Sequence, residues 1–187
     1  MPDIRKFSEN PAPPGKILDV GCGGKKSKGA LGVDKLDLPG VDIVHNLEEF
    51  PYPFEDNEFS EVLCHHVLEH LSDQVGVMEE LHRITSPDGW IRIEVPYFTS
   101  YDSYRDPTHV VHHTYYSFHY FVDGHELANC NYSDIRFRVG AHKLVFTREW
   151  GMGAILSKLS MRRYEKYYAY RHPARKLFIE LQPVKNG

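Results

Sequence analysis

Asp19, Gly21, Gly23 and Asp34 fall within one short stretch, KILDVGCGGKKSKGALGVD. An acid just before a glycine turn suits a ligand carrying an ammonium group and would repel a pyrophosphate. Glycines at 21 and 23 let the backbone approach that ligand closely. A second acid, Asp34, can accept both hydroxyls of a ribose. An amino acid joined to a nucleoside meets all three conditions, which describes S-adenosylmethionine. Two commoner glycine motifs fail here. The dinucleotide fingerprint GxGxxG requires a third glycine where Lys26 stands, and it places its ribose acid about 20 residues on, farther than Asp34 lies. A P-loop requires GK[ST] at a fixed distance, and Lys25, Lys26 and Ser27 come too early for it.

A second concentration of chemistry lies in YFTSYDSYRDPTHVVHHTYYSFHYF. Asp106 and His109 could pair as an acid orienting a general base, since histidine titrates near neutral pH. His66 is another base candidate. The histidines could also ligate a metal, or simply pack in a cap over the site. HVVHH is not HExxH and has no nearby cysteine, so no metal is expected. The tyrosines could line a pocket for a planar or sugar-like molecule.

These residues need elements to hold them. KILDVG, ALGVD, VDIVHNL, SEVLCHH and WIRIEVPYF read as five successive strands, the first ending in its glycine turn. Val75, Met78, Leu81 and Ile84 recur every three residues, which predicts a helix capped by Ser72 or Asp73 and ended by Pro87, Asp88 and Gly89. SDIRFRVGAHKLVFTRE reads as a sixth, bent strand, and KLFIELQPVK as a closing strand. Residues 1–15, rich in proline, are expected to form a loose arm. Residues 151–175 read as helical, with Ile155, Leu156, Leu159 and Tyr164 opposite the bases. The alternation predicts an α/β, doubly wound, mostly parallel sheet that binds ligands at the carboxyl ends of its strands. The first crossover helix is short or absent, because Asp34 follows the glycine turn so closely.

LDVGCGG and GVDKLD resemble the first two motifs of class I S-adenosylmethionine-dependent methyltransferases. FPYPFEDNEFSEVLCHHVLEHLSD and ELHRITSPDGWIRIEVP resemble the next two, in the same order. The DPTH segment is similar to one in small bacterial and archaeal members. The resemblance implies a Rossmann-like methyltransferase fold of seven strands, the last antiparallel and inserted between the fifth and sixth. It implies one methyltransferase domain over 1–187, with a substrate cap at 98–131 and a basic helical insertion at 151–175. It also implies that Asp19, Gly21, Cys22 and Gly23 meet the methionine part, with His65 near the sulfonium. Asp34 would hold the ribose, Lys35 or Leu36 would flank the adenine, and Asn46 and Leu47 would address its edge.

Bulk properties fit this picture. The chain has 187 residues, 41% of them hydrophobic, enough for a real core. No apolar run is long enough to span a bilayer and no signal peptide opens the chain, so a cytoplasmic protein is expected. Three widely spaced cysteines argue against a disulfide framework. Eight bases and two acids follow position 150, which reads as a solvated face before it reads as a nucleic-acid surface. CHHV stands where a base-methylating enzyme would carry an NPPY-like motif, so a small-molecule methyl acceptor is expected. A non-catalytic cofactor-binding relative is the rival.

Overall fold

A computed structural model describes residues 4–8, 10–11, 13–148 and 151–185. Seven strands build one sheet: β1 (Ile17–Val20), β2 (Leu31–Asp34), β3 (Ile43–Val44), β4 (Phe59–His65), β5 (Thr85–Pro96), β6 (Arg136–Val145) and β7 (Lys176–Val184). Their order across the sheet is β3-β2-β1-β4-β5-β7-β6. β7 runs antiparallel to both its neighbours, and every other pairing is parallel. The closing strand therefore sits between the fifth and sixth, as expected. The order reverses beside β1, so the glycine turn leaves the sheet at the switch point where such folds bind ligands.

No helix joins β1 to β2. Side chains hold that crossover instead. Asp19 Oδ2 accepts from the Ser27 amide at 2.6 Å, and Asp34 Oδ2 accepts from the Gly23 amide at 2.8 Å. Lys26 pairs with Asp42, which also takes the Gly32 amide at 2.7 Å.

Helix α1 (Gln74–Ile84) starts on Asp73, whose side chain accepts from the Gly76 amide. Its buried face is Val77, Met78, Leu81 and Ile84, with Val75 only partly covered. The helix ends at Ile84, before Pro87, because Thr85 already adopts extended geometry and begins β5. β6 carries the bend as a register shift between Val139 and His142.

Two expectations need correction. The amino-terminal arm is not loose where it is described; residues 1–3, 9 and 12 lie outside the described residues. Ile4 is buried, Arg5 pairs with Glu61 at 2.8 Å, and Ser8 and Asn10 both bind the Glu180 carboxylate. Those partners are far away in sequence, so local composition gave no sign of them. The carboxyl-terminal helical segment is also less regular. It breaks into α3 (Met152–Leu159), a turn at Met161–Arg163 and a wide turn at Tyr164–Tyr168. Ile155 and Leu159 are exposed, while Ala154, Ser157 and Tyr164 face inward.

Residues after β5 form α2 (Tyr101–Tyr104) and two single-turn helices, Ser117–Phe121 and Glu126–Cys130. Phe118 and Phe121 belong to the main hydrophobic core. The Glu165 carboxylate accepts from Tyr97 Oη at 2.9 Å and from the Tyr115 amide at 2.7 Å. It thereby ties the carboxyl-terminal segment to the aromatic stretch over the end of β5. No helix among the described residues is long and apolar enough to cross a membrane.

Candidate active site at the carboxyl edge of the sheet

Three cavities adjoin along the carboxyl ends of β1, β2, β4 and β5. The first, about 220 Å³, is lined by Asp19, Gly21, Cys22 and His65, with Lys25 to Lys28 along one side. The second, about 340 Å³, is lined by Asp34, Lys35, Asn46, Leu47, His66 and His70, among others. Gly21 lines both. The third, about 250 Å³, shares His66 and His70 with the second and continues to Asp102, Arg105, His109 and Arg175.

Gly21 has little freedom in what it can be. Its φ is +63°, and a Cβ there would lie 2.4 Å from Val67 Cγ2. The turn thus meets the chain after β4 directly, backbone against side chain. Gly23, also at positive φ, lines neither cavity; its amide spans to Asp34 instead. Leu36 is 53% exposed and lines neither cavity, so Lys35 alone of that pair faces the site. Asn46 Oδ1 accepts from the Glu48 amide at 3.2 Å. Burial first, then the Asp19 and Asp34 carboxylates, push the Cys22 thiol up to about 11, so it stays protonated.

Beyond β4 the charges are coupled. Glu94 is 2% exposed and takes Lys176 at 2.6 Å, His65 Nε2 at 2.9 Å and His66 Nε2 at 3.3 Å. Burial opposes its ionisation, yet the two imidazoles and the Lys176 ammonium beside it hold its carboxyl well below the usual range. His66 Nδ1 lies 3.0 Å from Glu69 Oε1. Burial opposes its protonation, but the two carboxylates outweigh that and raise it. A ring facing a carboxylate on each side donates twice, so His66 is not a free base as expected from sequence.

The Asp106–His109 pairing also needs correction. Asp106 Oδ1 accepts from the Thr108 amide at 2.9 Å and from its hydroxyl at 2.7 Å. His109 Nδ1 instead faces the Ser103 carbonyl at 3.0 Å. The carboxylate nearest the His109 ring is Glu69, whose Oε1 lies 3.9 Å from Nε2. Two residues between Asp106 and His109 let the Asp106 side chain close its own turn first.

Sequence reasoning missed Glu69, His70, Glu94 and Thr108. Glu69 and His70 stood in the quoted VLEHL segment, ahead of the helix cap expected at Ser72 or Asp73, and were given no role there. Their signal was an acid and a histidine within five residues of the end of a buried strand.

This fold and this edge define a class of protein, the Rossmann-like methyltransferases. A family model described as a methyltransferase domain matches residues 1–133. The chain belongs to that family, a family of enzymes whose methyl donor is S-adenosylmethionine. No curated protein sequence matches the chain. Solved structures share its fold at low identity. The YcgJ protein from Bacillus subtilis is 15% identical, with a TM-score of 0.60 over 97% of this chain and 96% of that one. A SAM-dependent methyltransferase from Archaeoglobus fulgidus is 17% identical, with a TM-score of 0.56 over 96% and 89%. The [4+2]-cyclase SpnF is 15% identical, with a TM-score of 0.61 over 98% and 79%.

Proposed function

We propose that this enzyme transfers the methyl group to a polar small molecule seated in the third cavity. The observation that carries the reading is the junction at Gly21. A cavity with Asp19 and one with Asp34 meet there, each with its carboxylate, as a molecule joining an amino acid to a nucleoside requires.

The residues fit the donor. Asp19 spends Oδ2 on Ser27 and keeps Oδ1 for an ammonium group. Asp34 would hold the ribose diol at the end of β2, and Lys35, Asn46 and Leu47, which line the same cavity, would surround the adenine. Cys22 contributes a neutral wall, and His65 closes the methionine end beside Leu63. When bound, S-adenosylmethionine supplies an electrophilic sulfonium methyl. The chain's part is to hold the two reactants in line, which alone can lower a barrier by roughly 7–11 kcal/mol.

The size and lining of the third cavity support a small acceptor. About 250 Å³ is below the usual span of drug-sized pockets, roughly 300–1,000 Å³, and far from a groove for a polymer. Asp102, Arg105 and Arg175 give it charges of both signs. The bases at 158, 162, 163, 166 and 171 lie exposed on the other segment and line none of the three cavities.

The test has two arms. Calorimetry with S-adenosylmethionine and its demethylated product reads donor binding. Release of labelled methyl to fractionated metabolites, set against RNA and protein pools, reads the acceptor. Transfer only to RNA or protein would refute the small-molecule reading. Because SpnF shows the same fold under the name of a cyclase, transfer itself must be measured.

A further inference from the structure

Beside the donor site, Glu69, His70 and His109 each bring a donor atom within 4.8 Å of the others. Glu69 and His70 are consecutive in the turn Leu68–His70. His109 is brought to them by the backbone, because the amides of Val110 and Val111 donate to the Glu69 carbonyl at 2.9 and 3.1 Å.

The protons of both rings can be assigned from their partners. The Thr108 hydroxyl has one proton and gives it to Asp106 Oδ1, so towards His70 Nδ1, 2.9 Å away, it can only accept. His70 therefore carries its proton on Nδ1 and, when neutral, a bare lone pair on Nε2. The Ser103 carbonyl can only accept, so His109 also carries its proton on Nδ1. Its Nε2 lone pair then faces Glu69 Oε1 at 3.9 Å, too far for a hydrogen bond. The Glu69 side chain is 2% exposed, and its Oε2 has no hydrogen-bond partner among the described residues. His66 Nδ1 already occupies Glu69 Oε1 at 3.0 Å, so the lone pairs left to converge are those of Glu69 Oε2 and the two imidazoles. Hydrogen bonds on the far ring nitrogens are the usual way to orient metal-binding histidines.

We propose that Glu69, His70 and His109 bind one divalent first-row transition-metal ion, such as Zn²⁺ or Fe²⁺. Two imidazoles and one carboxylate suit those ions and leave open positions for water or another ligand. Such ligands sit roughly 3–4 Å apart around an ion about 2.1 Å from each, a contraction within reach of side-chain rotation. The open positions face the third cavity, which Glu69, His70 and His109 all line. A neighbouring cluster, His65, His66 and Glu94, is less suited, because Lys176 already places a cation 2.6 Å from Glu94.

Protein purified without a histidine tag, then stripped with a chelator, would be titrated with Co²⁺ by visible absorption and with Zn²⁺ by competition. One ion per chain is expected, with affinity reduced roughly 100-fold in His70→Ala and in Glu69→Gln. Because Glu69 is buried, circular dichroism would check folding, and His109→Ala gives a further variant with the same expectation. No stoichiometric binding up to about 100 μM, a Kd weaker than any site retained on purification, would overturn the proposal. So would binding unchanged in both His70→Ala and His109→Ala, or lost only in His65→Ala. Calorimetry with the demethylated cofactor on the same samples keeps this outcome separate from donor binding.

Discussion

Asp34 Oδ2 accepts the Gly23 amide at 2.8 Å, and Asp34 Oδ1 accepts the Leu36 amide at 3.0 Å. One carboxylate therefore joins the end of β2 to the turn after β1, across a crossover that contains no helix. The residue proposed to clasp the ribose is also the one that shapes the turn beneath it.

Asp34→Ala should weaken binding of S-adenosylmethionine by about 10- to 100-fold, since hydrogen bonds to a charged group contribute about 1.5–3 kcal/mol. Asp34→Asn should recover part of that loss, because one side-chain oxygen remains to accept. Calorimetry on the three proteins checks both, and unchanged affinity in Asp34→Ala would remove Asp34 from the site.

Gly21→Ala should abolish measurable donor binding and lower stability. The left-handed backbone costs a non-glycine residue about 1–2 kcal/mol, and the new methyl would collide with Val67. Adding Val67→Ala should relieve only part of the collision, because the Cβ at 67 would still lie 2.8 Å away, and it leaves the backbone strain in place. A denaturation midpoint for the double variant above that of Gly21→Ala, yet below the parent, is the expected order.

Arg92 lies buried between Glu61 at 2.6 Å and Glu180 at 2.5 Å. Arg92→Met should cost about 3–5 kcal/mol, because it leaves two buried carboxylates facing an apolar side chain. Chemical denaturation reads that loss. The amino-terminal arm should loosen with it, since Asn10 binds both Glu180 and, through its carbonyl, Arg92. Limited proteolysis within residues 4–11 would report the loosening.

Stability should fall as pH drops from about 6.5 to 4. Burial lowers His113 to about 4, His119 to about 4 and His142 to about 3, from an ordinary value of 6.5. In that window the unfolded chain takes up protons that the folded chain does not, so each step down in pH favours unfolding. His142 stacks on Tyr115 with ring centroids 3.6 Å apart, and its Nε2 is buried with no hydrogen-bond partner among the described residues. His142→Phe keeps the stack and removes one of the three titrations. Its stability profile over pH 7 to 4 should be shallower than the parent's; an equal slope would contradict the assignment.

Much of the fold was legible because it rests on short-range rules. A buried run followed by a glycine turn, an acid at the next strand end and a helix period are local patterns; all seven strands overlap the runs so read, although β5 starts at Thr85, through the stretch 87–89 read as a turn. Gly21 and Asp34 were visible for the same reason: backbone freedom and a carboxylate at a strand end can be read from residue type and position. The proposed Asp106–His109 pair failed because neighbours in sequence can choose other partners. Asp106 closes its own turn on Thr108, and His109 turns towards Ser103.

What the sequence determined by itself is the sheet, its ligand-binding edge and the class of donor molecule. Tertiary structure alone decided which carboxylate meets which histidine. Glu69, Glu94 and Lys176 come from three separate segments and approach only when β7 inserts beside β5 and the stretch after β5 folds back over β4. The energy of such a group depends on burial and on charges a few ångströms away, and those distances exist only once the chain has folded.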